Sequence, residues 1–432
     1  MPSCPALLIS GPASGQGKTT VTAGLALLHR QLGRRVRVFK TGPDFLDPMI
    51  LEHASGAPVQ SLDLWMAGEH GCRQLLAEAA QQADLILIEG VMGLFDGTPN
   101  SADLAAAFGI PIVTVISAHA MAQTFGAIAL GLAQYRPDVA IHGVLANHVS
   151  SAQHAQMLQD SLPTGLRWLG YLATSEHIAL PERHLGLHQA AEIDDLQSRI
   201  AVTARALADT ALAELPAPVS FHSPPACPQP ELLAGMHIAI ARDAAFSFIY
   251  PANVSLLESL GARVTFFSPL ANERIPGDAD ALYVPGGYPE LHATTLAGNQ
   301  ASTASIRAHA LAGKPIFAEC GGMLYLLDEL TDVEGTSTTM LGLLPGRAAM
   351  QKRLASLGMQ SLHTKYGVLT GHTFHYSSMT TPLQPEYHAI RPQCATAGEP
   401  VFRSGAIVAT YMHGYWPSNP ALIAAIFRGK TF

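Results

Sequence analysis

Two stretches of this chain place reactive side chains on the tight turn between an apolar strand and a helix. The first reads SGPASGQGKTT over residues 10–20, preceded by the apolar run 7–10 and followed by a helical pattern. Gly15 and Gly17 let backbone N–H groups curl around phosphate oxygens. Lys18 adds a positive charge beside the β- and γ-phosphates, and Thr19, followed by Thr20, offers a hydroxyl to Mg²⁺. Pro12 stands where the usual spacing has glycine and Gly11 comes one residue early, which marks a subset of phosphate loops. The second stretch, KPIFAECGGMLYL over residues 314–326, sets Cys320 on a nucleophile elbow. The turn is expected to expose the sulfur, the glycines to leave room for a substrate, and the following helix to favour the thiolate. A thiol nucleophile needs a base. His413, closing the apolar run 406–412, is the expected one, with His375 of GHTFHYS as an alternative base or substrate contact. In VPGGYPE, the backbone N–H groups of Gly287 and Tyr288 would form an oxyanion hole.

Carboxylates collect at the ends of the other early strands. The segment FKTGPDFLDP brings Lys40, expected with Lys18 to bind the nucleotide and stabilise charge on its transferring phosphate, together with Asp44 and Asp47; Glu89 ends the run Leu85–Glu89, and Asp96 follows in GLFDG. Ligands of open α/β sheets sit outside the carboxyl ends of strands, so these acids should face the phosphates. Mg²⁺ prefers oxygen ligands, and Thr19, Asp44 and Glu89 are expected to hold it, with Asp47 a further candidate. Asn147 ends another strand, where its amide could meet an adenine edge. Trp65, His119 and His148 read as packing or surface.

The elements that must position these groups are short β-branched runs alternating with helical patterns. That order predicts a parallel sheet covered on both faces. Between residues 214 and 232 lie six prolines, a composition read as an interdomain linker without regular structure. The α/β rhythm then restarts. The expected organisation is therefore a domain over 1–205, a linker over 206–234 and a second α/β domain over 235–432. With 432 residues, 48% of them hydrophobic, the chain can bury two sizeable cores. A net charge of −8 argues against nucleic acid, whose phosphates call for a concentrated basic surface. Five scattered cysteines form no metal-like or disulfide pattern, the opening residues read as a core strand, and no apolar run is long enough to span a membrane. A cytoplasmic location is expected.

Taken together, SGPASGQGKTT, FKTGPDFLDP, LIEGVMGLFDG, ARDAAFSFIYP, VPGGYPEL, FAECGGMLYL, GHTFHYS and YMHGY resemble the cobyrinic (hydrogenobyrinic) acid a,c-diamide synthase family over nearly the whole chain. The resemblance implies a P-loop, dethiobiotin-synthetase-like parallel-sheet domain that binds ATP and Mg²⁺. A class I glutamine amidotransferase-like α/β domain would follow it. The family's phosphate-loop residues fall on Gly15, Gly17, Lys18 and Thr19, and its acids on Asp44, Asp47, Glu89 and Asp96, the substrate-activation role going to Asp47 and Asp96. Its nucleophile falls on Cys320 and its base on His413. Two departures stand out. Tyr415 occupies the place where many class I amidotransferases carry a triad glutamate, so a Cys–His dyad is expected. Thr373 stands where relatives carry glutamate.

The implied activity is ATP- and glutamine-dependent amidation of the a and c acetates of a corrin acid in cobalamin biosynthesis, through an acyl phosphate. A corrinoid carboxylic acid and L-glutamine are the expected partners, a homodimer is allowed, and neither nucleic acid nor membrane is expected. Alternatives are another tetrapyrrole acid such as nickel-sirohydrochlorin, or a P-loop regulatory ATPase that uses the loop only for conformational control.

Overall fold

Apolar residues that alternate between two faces of each strand explain how both sheets are covered on both sides. The computed structural model describes residues 1–183, 186–187, 189–223, 225 and 230–432. The chain forms two units, Met1–Ala226 and Cys227–Phe432.

The first unit runs β1 (Ser3–Ser10), α1 (Lys18–Gln31), β2 (Val36–Lys40), α2 (Leu46–Ser55), β3 (Gln60–Ser61), α3 (Gly68–Gln82) and β4 (Leu85–Glu89). It continues through α4 (Ser101–Phe108), β5 (Ile112–Ser117), α5 (Thr124–Gln134), β6 (Ile141–Val149), α6 (Ala152–Asp160) and β7 (Trp168–Ala173). The strands lie in the order β3-β2-β4-β1-β5-β6-β7, all parallel. Leu7 and Ile9 of β1 pack with Val21 and Leu25 of α1, whereas Ala6 and Leu8 join the opposite core with Leu76 of α3 and Leu104 of α4. Full burial of each such leucine contributes ~1.5–3 kcal/mol. Because β1 is central, its carboxyl end opens at the switch point between β4 and β5, where the phosphate loop sits.

After the short pair β8 (Glu182–Arg183) and β9 (Gly186–Leu187), helix α7 (Leu196–Ala208) returns to α1. Gly24 makes that approach close, since a Cβ there would lie 2.4 Å from Thr203 Cγ2. The proline-rich stretch is not wholly irregular. Its residues Pro218–Ser220 form β10, antiparallel to the first residues of β1, a register that pairs Ser3 with Ser220 and Pro5 with Pro218. An edge position lets a strand keep its prolines, because their missing N–H groups are not needed by a neighbour. Part of the stretch, including Cys227, lies outside the described residues; the other four cysteines are free thiols.

The second unit begins with β11 (His237–Ala241), α8 (Pro251–Ser259), β12 (Arg263–Phe267), β13 (Ala281–Val284), α9 (Ala293–Gly298), α10 (Gln300–Leu311), β14 (Ile316–Glu319) and α11 (Gly321–Leu326). A mostly antiparallel part follows: β15 (Glu329–Thr331), β16 (Ser337–Thr339), β17 (Arg347–Met350), β18 (Ser356–Thr364), β19 (Gly367–His375), β20 (Ser377–Thr380), β21 (Tyr387–Arg391) and β22 (Thr396–Ser404). The chain ends with β23 (Ile407–Thr410), β24 (His413–Gly414) and α12 (Pro420–Phe427). Ten strands make one sheet, β12-β11-β13-β14-β23-β22-β21-β18-β19-β24, and β16-β15-β17-β20 make a smaller one. On β14, Ile316 and Ala318 join the core that includes Met323 of α11, while Phe317 faces Trp416 and α12. No helix among the described residues is long and apolar enough to cross a membrane.

Candidate functional site

In the first unit the loop after β1 is fastened from several sides. Gly15 and Gly17 take φ of 73° and 85°, a left-handed backbone that glycine adopts without strain. A side chain at 17 would also collide with Asn147, its Cβ 2.2 Å from Nδ2. Asn147 donates from Nδ2 to the Gln16 carbonyl at 2.9 Å and accepts from the His148 N–H at 2.9 Å. Its amide thus grips the loop, a use its sequence position did not suggest. The Gln16 side chain in turn accepts from the Ser117 N–H at 2.8 Å. Lys18 is buried and donates across the loop to the carbonyls of Ala13 at 2.8 Å and Met92 at 2.6 Å. Burial lowers its amine's proton affinity, which Glu89 partly offsets. Thr20 lies half-buried in the first turn of α1.

Thr19 Oγ1 donates to Glu89 Oε1 at 2.7 Å, which joins the loop to the end of β4. Lys40 is 2% exposed and sits among the acids, 2.6 Å from Asp47, 2.9 Å from Glu89 and 3.9 Å from Asp44. Its own burial would lower its proton affinity, but the three carboxylates raise it above the ordinary lysine value. Burial pushes Glu89 and Asp44 up, Asp47 adding to the effect on both; Asp47 is held low because Lys40 outweighs its burial. Asp44 Oδ1 accepts the N–H groups of Leu46 and Asp47 at the start of α2, and Asp96 Oδ2 accepts from Gly93.

A divalent cation fits this corner on one observation. Glu89 Oε2 is buried and takes no hydrogen bond, so a carboxylate oxygen remains beside the Thr19 hydroxyl. Among the described residues no group of three or more His, Cys, Asp or Glu that could hold a metal ion is assembled.

In the second unit, Cys320 stands between β14 and α11 with φ 46° and ψ −112°. A non-glycine residue in that region carries ~1–3 kcal/mol of strain. The backbone holds it, Cys320 N donating to the Thr410 carbonyl at 2.7 Å. The neighbouring glycines are steric requirements. A Cβ at Gly322 would lie 2.0 Å from the Val284 carbonyl, and one at Gly321 would lie 3.0 Å from the Gly287 nitrogen. Gly287, expected to supply an oxyanion N–H together with Tyr288, thus lies against the residue after the thiol. Gly286 is flanked by both reactive groups: a Cβ there would be 2.4 Å from His413 Cε1 and 3.4 Å from Cys320 Cβ.

Two expectations need correction. The Cys320 side chain is buried, and burial pushes the thiol up; the Gly321 N–H opposes this, while Glu290, Glu399 and Glu319 add to it. A six-residue helix does not deliver a standing thiolate against that burial. His413 does not close β23 either. That strand ends at Thr410, whose Oγ1 accepts from Met412 N at 3.1 Å and turns the chain. His413 instead opens β24, antiparallel to β19 and opposite His372.

The second unit also contains polar groups the sequence reading passed over. Glu319 is buried and accepts from Tyr283 Oη at 2.7 Å, Gly414 N at 3.1 Å and Trp416 Nε1 at 3.3 Å. Asn253 donates to the Gly414 carbonyl at 2.9 Å and accepts from Trp416 N at 2.9 Å. Glu319 and Asn253 therefore clamp the segment that carries His413. A strand-terminal Glu directly before the reactive Cys was the only local signal for either. The rings of His372 and His413 stack at 5.0 Å, and His372 Nδ1 lies 3.2 Å from Tyr250 Oη. His375, the alternative base, lies 3.4 Å from Glu399 and stacks on Tyr411 at 3.8 Å.

Comparison with known proteins agrees with this division of labour. Residues 7–187 match the CobQ/CobB/MinD/ParA nucleotide binding domain, and residues 237–421 match the CobB/CobQ-like glutamine amidotransferase domain. Among curated proteins, the chain is 57% identical over 426 residues to the hydrogenobyrinate a,c-diamide synthase of Stutzerimonas stutzeri, covering 99% of each chain. It is 56% identical over 423 residues to the enzyme of that name from Pseudomonas aeruginosa, covering 98% of this chain and 97% of the other. The cobyrinate a,c-diamide synthase of Herminiimonas arsenicoxydans is 52% identical over 431 residues, with 98% and 96% covered.

Proposed function

The chain belongs to the cobyrinate and hydrogenobyrinate a,c-diamide synthase family, and on that premise we propose how its own residues divide the reaction. It is an ATP-dependent carbon–nitrogen ligase with glutamine as amido donor. It amidates the a and c carboxylates of cobyrinic or hydrogenobyrinic acid in cobalamin biosynthesis.

A carboxylate is a poor electrophile, and phosphorylation converts it into an acyl phosphate that ammonia can attack. The loop N–H groups and Lys18 would bind the phosphates and stabilise charge on the transferring group. Thr19 and Glu89, with Asp44 nearby, would hold Mg²⁺, which neutralises phosphate charge when bound. Lys40 would keep Asp47 and Glu89 in place. Asp47 and Asp96 would stand on the side of the acid being activated, and Asn147 would fix the loop under the nucleotide.

At the second site the Cys320 sulfur would bond to the side-chain amide carbon of glutamine while its proton passes to His413. The Gly287 and Tyr288 N–H groups would stabilise the oxyanion. The carbon–nitrogen bond then breaks, and His413 returns the proton to the departing nitrogen, which leaves as ammonia. Water cleaves the remaining thioester to glutamate and restores the thiol. This chemistry needs a reduced Cys320, in keeping with a cytoplasmic location.

The strained elbow at Cys320, in a chain whose other unit matches a nucleotide binding domain, carries this reading. A regulatory ATPase has no use for such a thiol. The test is glutamine-dependent ADP formation with hydrogenobyrinic and cobyrinic acids, comparing the intact chain with Cys320→Ala. The variant should lose turnover with glutamine and keep it with ammonium salts. Retained glutamine hydrolysis in the variant would remove Cys320 from the mechanism.

A further inference from the structure

His413 must carry a positive charge while it holds the thiol proton, yet most of its surroundings oppose that charge. The ring is buried and lies parallel to His372. Burial pushes His413 well below the ordinary histidine value, and His372 and His375 push it in the same direction. His372 is itself held neutral, burial lowering it to about 3. Cys320, Tyr250 and Tyr411 also belong to this neighbourhood, and none of them supplies a negative charge at neutral pH while the thiol stays protonated.

One buried acid pulls the other way. Glu399, on β22, accepts from Ser356 Oγ at 2.6 Å and Thr373 Oγ1 at 3.1 Å, with His375 Nε2 at 3.4 Å. Burial alone would raise its carboxyl, but the hydrogen bonds from His375, Ser356 and Thr373 outweigh that and hold it below the ordinary value. It therefore stays ionised inside the protein. Two of these partners lie on β19, where Thr373 follows the ring that stacks on His413. His375 in turn stacks on Tyr411, two residues before His413. The Glu399 charge favours protonation of His413; it also pushes the Cys320 thiol up, so its benefit falls on the imidazolium and not on a free thiolate.

We propose that Glu399 is a positioning residue of the thiol site, whose buried carboxylate, fixed by Ser356, Thr373 and His375, stabilises the imidazolium that His413 becomes when it takes the thiol proton. An acid two residues after His413 is absent, since Tyr415 stands there; Glu399 supplies the negative charge from a different strand. The GHTFHYS segment, whose role the sequence left open, then provides the ring behind His413 and two of the groups that fix Glu399. The inference rests on the glutaminase reading of Cys320 and His413.

The test compares a substitution that keeps shape with one that keeps charge. Glu399→Gln preserves size and hydrogen-bonding capacity, and Glu399→Asp preserves the charge. In the full chain, the Gln variant should lose glutaminase kcat by ~10–100-fold, at the lower edge of the ~10²–10⁴-fold that general acid–base assistance supplies, with KM for glutamine within about twofold. The Asp variant should recover at least half of that loss on a logarithmic scale. Ammonium-driven amidation should stay within about twofold in both. A Gln variant as active as, or more active than, the Asp variant would mean the site needs the shape and not the charge, and would overturn the proposal. So would a Gln variant with unaltered kcat. Should the Gln variant melt below the assay temperature by circular dichroism, the Asp variant decides against the parent, since it keeps the carboxylate. A kcat within ~10-fold of the parent supports the charge, and a larger loss with the carboxylate in place refutes it. Failure of the underlying reading would look different: Cys320→Ala would then still hydrolyse glutamine.

Discussion

Replacing Glu319 with glutamine should stabilise the second unit above neutral pH and change it little in acid. The carboxyl is buried beside Tyr283 and Trp416, and burial raises it from an ordinary 4.5 to about 7. In the unfolded chain the group ionises near 4.5, whereas the folded chain keeps its proton until about 7. The folded value is the higher one. Its contribution to stability is therefore complete below about pH 4.5 and is lost as pH rises through about 7. Each tenfold difference in proton affinity is worth ~1.4 kcal/mol, so the loss approaches ~3 kcal/mol by pH 8. A glutamine cannot ionise and escapes it. Its carbonyl can still accept from Gly414 N and Trp416 Nε1, and its amide can face Tyr283 Oη, which then accepts instead of donating. The assay is hydrogen exchange over residues 316–319 and 413–416, variant against parent at each pH. Near pH 4.5 the two should exchange almost alike. At pH 8 the variant should exchange ~100-fold more slowly, the factor that ~3 kcal/mol implies. Equal protection at pH 8, or the same difference at both pH values, would refute the argument that ionised Glu319 is a burden the fold tolerates.

Two further substitutions test the close approaches. Gly286→Ala should push the His413 ring off its position and lower glutaminase kcat by ~100-fold, since a misplacement of ~1 Å is worth about that much; ammonium-driven amidation, measured in parallel, should be unaltered. Asn147→Ala removes the amide that grips the Gln16 carbonyl, which should raise the KM for ATP by ~10-fold, one lost hydrogen bond of ~1–1.5 kcal/mol, with kcat changed less. Steady-state ADP formation at saturating corrinoid reads it.

Much of the phosphate site could be read from sequence because its parts are local. A strand, glycines at 15 and 17, Lys18 and Thr19 occupy one short segment, and the acids stand at strand ends where a parallel sheet gathers them. The elbow at Cys320 was legible for the same reason. What sequence could not supply was the register of distant antiparallel strands. Glu399 reaches Ser356 and Thr373 only because β22, β18 and β19 are brought together by pairings that skip along the chain. Glu319 resembled any residue at a strand end until Trp416 and Gly414 folded onto it. The burial of Cys320 escaped notice because local turn chemistry says where a side chain begins and not what later covers it. The proline-rich stretch misled in the opposite direction, its composition masking the three residues of β10.

That small strand has a consequence for the order in which the protein can be completed. Ser3–Pro5 find their antiparallel partner only at residues 218–220, and the Phe221 N–H reaches back to the Pro2 carbonyl at 2.9 Å while its ring enters the core containing Ala6 and Leu8. During synthesis, residues 3–5 must wait for more than two hundred others before this edge can close. By then the ribosome is already entering the amidotransferase half. The last stitch of the nucleotide-binding unit and the first residues of its neighbour therefore emerge together, so one short stretch of prolines ties the completion of one unit to the start of the next.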